Sequence, residues 1–122
     1  MAVTYRDRYQ MTVFGTPGTG TITLFTPVAG YTGFGILDNG LQFDVVITDG
    51  TAWEIDSGCT YTFSGTTLTR GTLVASSTGS AISLSSSAIV MVTLTAERFQ
   101  SVINSIPTAS IDYFNYSHAG GL

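Results

Sequence analysis

The chain is predicted to be mainly β: a compact antiparallel β-sandwich or barrel-like domain with one short C-terminal helix and an extended C-terminal tail. Three observations lead there. Hydrophobic residues make up 43% of the 122 residues and charged residues only 10%, against about 25% charged in ordinary soluble domains. Thr, Ser and Gly replace the missing charge, and Thr, Val, Ile, Tyr and Phe favour pleated, half-buried surfaces. Short apolar segments alternate with period two between Gly- and Ser-rich breaks, and the period changes to that of a helix only after Thr95.

In chain order, residues 1–8 read as an exposed lead-in arm and residues 9–94 as the β domain. Residues 9–14 are the first strand, and "GTPGTG" at 15–20 is a turn. In "TITLF" Ile22 and Leu24 face inward. "TPVAGYTGFGI" reads as a loop leading to a short strand, and Asn39-Gly40 carries the signal of a type I′ hairpin. "QFDVVIT" places Phe43, Val45 and Ile47 on one face, and Asp49-Gly50 turns the chain. "AWEID" is read with Trp53 and Ile55 in the core and with Glu54 and Asp56 facing outward or meeting Arg70 or a neighbouring subunit. Ser57-Gly58 breaks or bulges the strand, and "CTYTF" sends Tyr61 and Phe63 inward. Ser64-Gly65 turns into "TLTR"; Leu73 and Val74 begin a short strand, "SSTGS" is a loop, and "AISLS" and "AIVMVTL" are the last strands.

Residues 95–106 are read as a short helix. Thr95 suits the N-cap, Glu97 lies in the first turn where the helix dipole favours a carboxylate, and Leu94 with Phe99 fits a hydrophobic staple. Pro107 ends it. Residues 107–122 form a tail whose Ile111, Tyr113, Phe114, Tyr116 and Leu122 are too apolar for a solvated linker, and they are read as a docking element.

The net charge of −4 and the absence of lysine argue against nucleic acid as a partner, since that affinity comes largely from neutralised phosphates. They argue equally against an electrostatic membrane anchor. No apolar run approaches a membrane span, no secretion signal is read at the N-terminus, and the single Cys59 excludes an internal disulfide. A charge-poor, Thr-rich surface suits a permanent assembly.

Sites of chemistry are weighed and set aside. Glu54 and Asp56, two residues apart on a strand, sit near the carboxyl spacing of an inverting glycosidase, yet alternating acids on any strand do the same. Asp38, Asn39, Asp44 and Asp49 offer oxygen ligands for calcium without the EF-hand order. "GTPGTG" lacks the lysine of a phosphate loop. His118, alone with Asp112 in the tail, makes a poor triad, and Asn115 heads a chance glycosylation triplet. The expectation is no enzyme, no catalytic residue, no cofactor and no metal.

Asp7-Arg8, the "GTGTITL" strand at 18–24, Gly30-Tyr31 with Phe34, "DGTAWE" at 49–54, "TLTR" at 67–70 and "ASS" at 75–77 occur in the order and spacing of a small β module found in structural proteins of tailed bacteriophages. The chain resembles that module over about residues 6–95; the helix and tail depart from it. The resemblance implies a non-enzymatic virion component, a head decoration or a fibre or tail attachment piece. Its partners would be copies of itself, a trimer being one form, and other virion proteins. A competing expectation is a carbohydrate-binding module that reads host glycans through exposed Tyr31, Phe34 and Tyr61.

Overall fold

The computed structural model describes residues 3–106. Along them run β1 (Val3–Thr4), β2 (Gln10–Val13), β3 (Ile22–Pro27), a single 3-10 turn (Ile36–Asp38), β4 (Gln42–Asp49), β5 (Ala52–Thr62), β6 (Thr67–Thr69), β7 (Thr72–Ser76), β8 (Ile89–Val92) and α1 (Ala96–Ser105). Strands pair in the order β4-β8-β2-β3-β6-β5, and β5 returns to β4. Six antiparallel strands therefore close into a barrel, which removes their free edges. β1 lies parallel to β4, and β7 lies antiparallel to β5. The lead-in segment thus contributes a strand of its own.

The barrel interior holds Val13, Ile22, Leu24, Phe43, Val45, Ile47, Tyr61, Leu68 and Val90, all 4% exposed or less. The alternation read in "TITLF" and "QFDVVIT" is what places them there. One end is filled by aromatic rings: Phe34 stacks on Tyr61 at 4.9 Å and meets Phe43 and Tyr9 edge-on at 4.9 and 5.0 Å.

Three local readings are corrected. Asn39-Gly40 does not form a type I′ hairpin. Asn39 has φ −57° and ψ 127°, Gly40 has φ +78°, and Leu41 N–H donates to Asp38 C=O at 3.0 Å, the pattern of a type II turn. "AISLS" is no ladder strand, although Ile82 and Leu84 are buried in alternation; Leu84 makes an isolated bridge to Gly18. Trp53, Ile55 and Phe63 are not core. Trp53 is 38% and Phe63 43% exposed, Ile55 is half-buried, and the acids between them, Glu54 and Asp56, are 1% and 2% exposed.

The cause is one bulge. Phe43 faces Cys59 but Val45 faces Asp56, so Ser57 and Gly58 together oppose Asp44. Gly58 takes the positive φ, +70°, that such a kink requires. The extra residue reverses the phase, so the face carrying Tyr61 and Cys59 continues as Asp56 and Glu54. Tyr61 alone of the four expected core residues is enclosed. Phe63 follows the end of β5, where its N–H donates to Asn39 Oδ1 and its carbonyl accepts from Thr66 in the turn to β6.

Candidate functional site

Each buried carboxylate has its own partners. Asp38, in the 3-10 turn, accepts from Arg6 Nε at 3.1 Å, from the Tyr9 hydroxyl at 2.8 Å and from Gly35 N–H at 3.0 Å. Asp44, opposite the bulge, accepts from the Tyr5 hydroxyl at 2.6 Å, from Gly58 N–H at 3.0 Å and from Arg98 through Nε at 2.9 Å and Nη2 at 3.3 Å. Arg98 Nη2 also donates to Ser57 Oγ at 2.9 Å, so α1 is fastened to the bulge itself. Burial alone would raise the pKa of Asp44, but the hydrogen bonds from Arg98, Tyr5 and Gly58 outweigh it and hold the carboxyl below its ordinary range. Burial and the hydrogen bond to Asp44 push Tyr5 up to about 12.

The third centre lies inside the barrel. Glu54 Oε1 accepts from Ile82 N–H at 2.8 Å, and Arg70 Nη1 donates to Ile82 C=O at 3.2 Å. Arg70 Nε stands 3.8 Å from Glu54 Oε2. Glu54 and Asp56 lie two residues apart on β5 and both are buried. Glu54 Oε2, Asp56 Oδ2, Arg70 Nε and Arg70 Nη2 are buried without a hydrogen-bond partner among the described residues. Two ionised carboxylates this close and this dry repel one another. Burial first, then the hydrogen bond and charge of Glu54, raise Asp56 to about 8, with Arg70 opposing. Asp56 is therefore the acid that keeps its proton toward neutral pH, with burial as the main cause.

As a reaction centre the pair is unlike a glycosidase. Its acids stand side by side in a closed interior, whereas acid and base must flank a sugar in an open groove. Asp38, Asn39, Asp44 and Asp49, weighed for calcium, are dispersed: Asn39 caps the Phe63 N–H and Asp49 binds Ser85 N–H and Oγ at 2.6 and 2.9 Å. Among the glycan-reading aromatics, Tyr61 is buried and Phe34 is packed between rings, while Tyr31 stays at the surface with the Arg8 guanidinium 4.6 Å from its centroid.

An open cleft of about 460 Å³ runs between residues 5–8 and residues 92–94. Its arginines are engaged, Arg6 on Asp38 and Arg8 on Gly30 C=O and the Tyr31 ring. Ile111, Tyr113, Phe114, Tyr116 and Leu122, read from the sequence as a docking element, lie outside the described residues, as do Asp112, Asn115 and His118.

The described surface is apolar in several places, among them the 3-10 turn, where Ile36 and Leu37 are 67% and 86% exposed. On α1, Phe99 and Val102 are each 52% exposed, Ile106 at its C-cap is 42% and Leu94 before its N-cap 53% exposed, and no residue of the helix is buried among the described residues. On the β2–β3 hairpin, Phe14 and Phe25 are each 61% exposed with ring centroids 5.8 Å apart. Sequence reading placed the helix and its periodicity but not its nakedness, because a 3.6 period marks an apolar face without naming what covers it. Comparison with models of protein families, with curated proteins and with solved structures gave no match.

Proposed function

We infer that the protein is a non-enzymatic structural subunit of a tailed-bacteriophage virion, working as a homo-oligomer in head decoration or in fibre or tail attachment. The observation that carries this reading is the bare apolar face of α1 on an otherwise closed, charge-poor barrel. Large exposed apolar patches mark surfaces that other proteins cover, and aromatics give much contact area for few rotors. The order of short motifs over residues 6–95 supplies the virion context, and the aromatic composition of residues 107–122, continuous with α1, adds to the apolar material at that end.

Two measurements test it. The full chain should sediment as an oligomer, and Val102→Asp with Phe99→Asp should return it to a monomer with the barrel's melting temperature kept. Mass spectrometry of purified particles of the encoding phage should find the chain in stoichiometric amount. A monomeric wild-type chain, or particles without it, defeats the reading. Specific glycan binding that is lost with Tyr31→Ala would turn it toward carbohydrate recognition.

A further inference from the structure

The connection between β7 and β8, residues 77–87, lies over the barrel without a strand ladder. Its root is tied to Trp53, whose N–H donates to Ser77 Oγ at 3.1 Å and whose carbonyl accepts from Ser77 N–H at 2.9 Å. Its far half is held by Leu84, which exchanges hydrogen bonds with Gly18 at 2.8 and 3.0 Å, and by Asp49 on Ser85. At its centre both backbone groups of Ile82 are clamped by side chains, the N–H by Glu54 and the carbonyl by Arg70. Ile82 and Leu84, 4% and 1% exposed, close the interior. The clamp is thus built from the groups that neighbour Asp56.

With one proton on the acid pair, the charges of Glu54, Asp56 and Arg70 sum to zero. Without it, a net negative charge is sealed in an apolar interior, where an uncompensated ion is costly. The other side chains facing the pair cannot absorb it. Asp56 lies opposite Val45 and Leu73, Glu54 opposite Ile47 and Ser76. Cys59, pushed up to about 12 chiefly by burial, remains a neutral thiol. The relief open to this site is water, and residues 77–87 are the covering segment that no ladder retains.

We propose that Glu54, Asp56 and Arg70 form a proton-operated latch: the proton shared by the two acids keeps residues 77–87 closed on the barrel, and its loss to solvent releases that segment. In the open state the acids meet water and Asp56 titrates near its ordinary 3.8, whereas the closed state keeps the proton to about 8. Between those values the closed state binds one proton more. Opening is therefore favoured by up to about tenfold for each unit of rising pH in that window, and levels off above it.

Hydrogen exchange on the full chain, with labelling times corrected for the intrinsic pH dependence of exchange, tests this between pH 5 and 8. Protection of the peptide spanning 77–87 should fall by up to about tenfold per pH unit in the wild type. In Asp56→Asn, neutral at every pH and still able to donate to Glu54, it should stay level. Emission of Trp53, the sole tryptophan, should move over the same window in the wild type only. Equal pH slopes in the two proteins overturn the proposal. Should the variant not fold, the carboxyl carbon resonances of the wild type decide: one Asp carboxyl must titrate above pH 6, and none doing so also overturns it.

Discussion

At the scale of the residue, Gly58 and Gly71 govern β5 more than any large side chain on it. Gly58 supplies the left-handed turn of the bulge. Gly71 lies against it so closely that a Cβ there would stand 2.0 Å from Ser57 O and 2.8 Å from Gly58 C. Neither of those atoms can swing aside as a side-chain tip would. Gly71→Ala should therefore cost about 1–3 kcal/mol, the range for forced overpacking, measured by chemical denaturation; a wild-type midpoint would mean the strands part freely there. The reversed phase gives a second expectation. Phe43→Ala, at a site with no exposure, should cost about 3–5 kcal/mol, whereas Trp53→Ala should cost about 1 kcal/mol or less, because Trp53 keeps much of its surface in water. Equal losses would restore Trp53 to the core.

At the scale of the element, α1 is a helix capped well and packed poorly. Thr95 Oγ1 accepts from Arg98 N–H at 3.1 Å, closing the first turn. Beyond that the helix is joined to the barrel through Arg98 on Asp44 and Ser57. A ten-residue helix is marginal alone in water, so this contact decides whether it stays. Arg98→Ala should lower helical circular dichroism and cost about 1–2 kcal/mol, less than the 3–5 of a fully buried pair because Arg98 is 35% exposed. Tyr5 and Gly58 would still satisfy Asp44, so the barrel should persist; collapse of the whole fold would show that α1 is part of the core. Deleting residues 107–122 should likewise leave barrel melting near normal while abolishing the proposed oligomer. A truncated chain that fails to fold would assign those residues to the domain itself.

At the scale of the whole molecule, two buried acids act in opposite senses on stability. Asp44 has its folded pKa lowered, so its contribution is present above 3.8 and is lost as pH falls through the folded value. Asp56 has its folded pKa raised, so its contribution is complete below 3.8 and is lost as pH rises toward about 8. Together they place the stability maximum on the acid side of neutrality, at about pH 4. Thermal melting across pH 3–9 checks this, and a maximum at or above pH 7 would contradict the protonated acid pair. Asp56→Asn should flatten the alkaline limb and leave the acid limb unchanged.

Local periodicity and turn chemistry sufficed for the β class, the inward faces of β3 and β4, and the capped helix after Thr95, because each depends on neighbours a few residues apart. They did not suffice for barrel closure, since pairing of β5 with both β4 and β6 joins segments whose match lies in register and not in composition. The buried acid centre was hidden for a sharper reason. Ser57-Gly58 was legible as a break, but whether a break shifts the phase depends on the partner strand, and only Asp44 opposite the pair reveals two residues against one. That single slip carried Glu54 and Asp56 inward and Trp53 outward. Likewise Ile82 and Leu84 alternate as a strand would, yet their backbone partners are Glu54, Arg70 and Gly18, contributed from distant points of the chain. Sequence alone determined most of the segments that extend and the one that coils; the tertiary structure decided which face of β5 is dry, and so where the charge of this protein had to be neutralised.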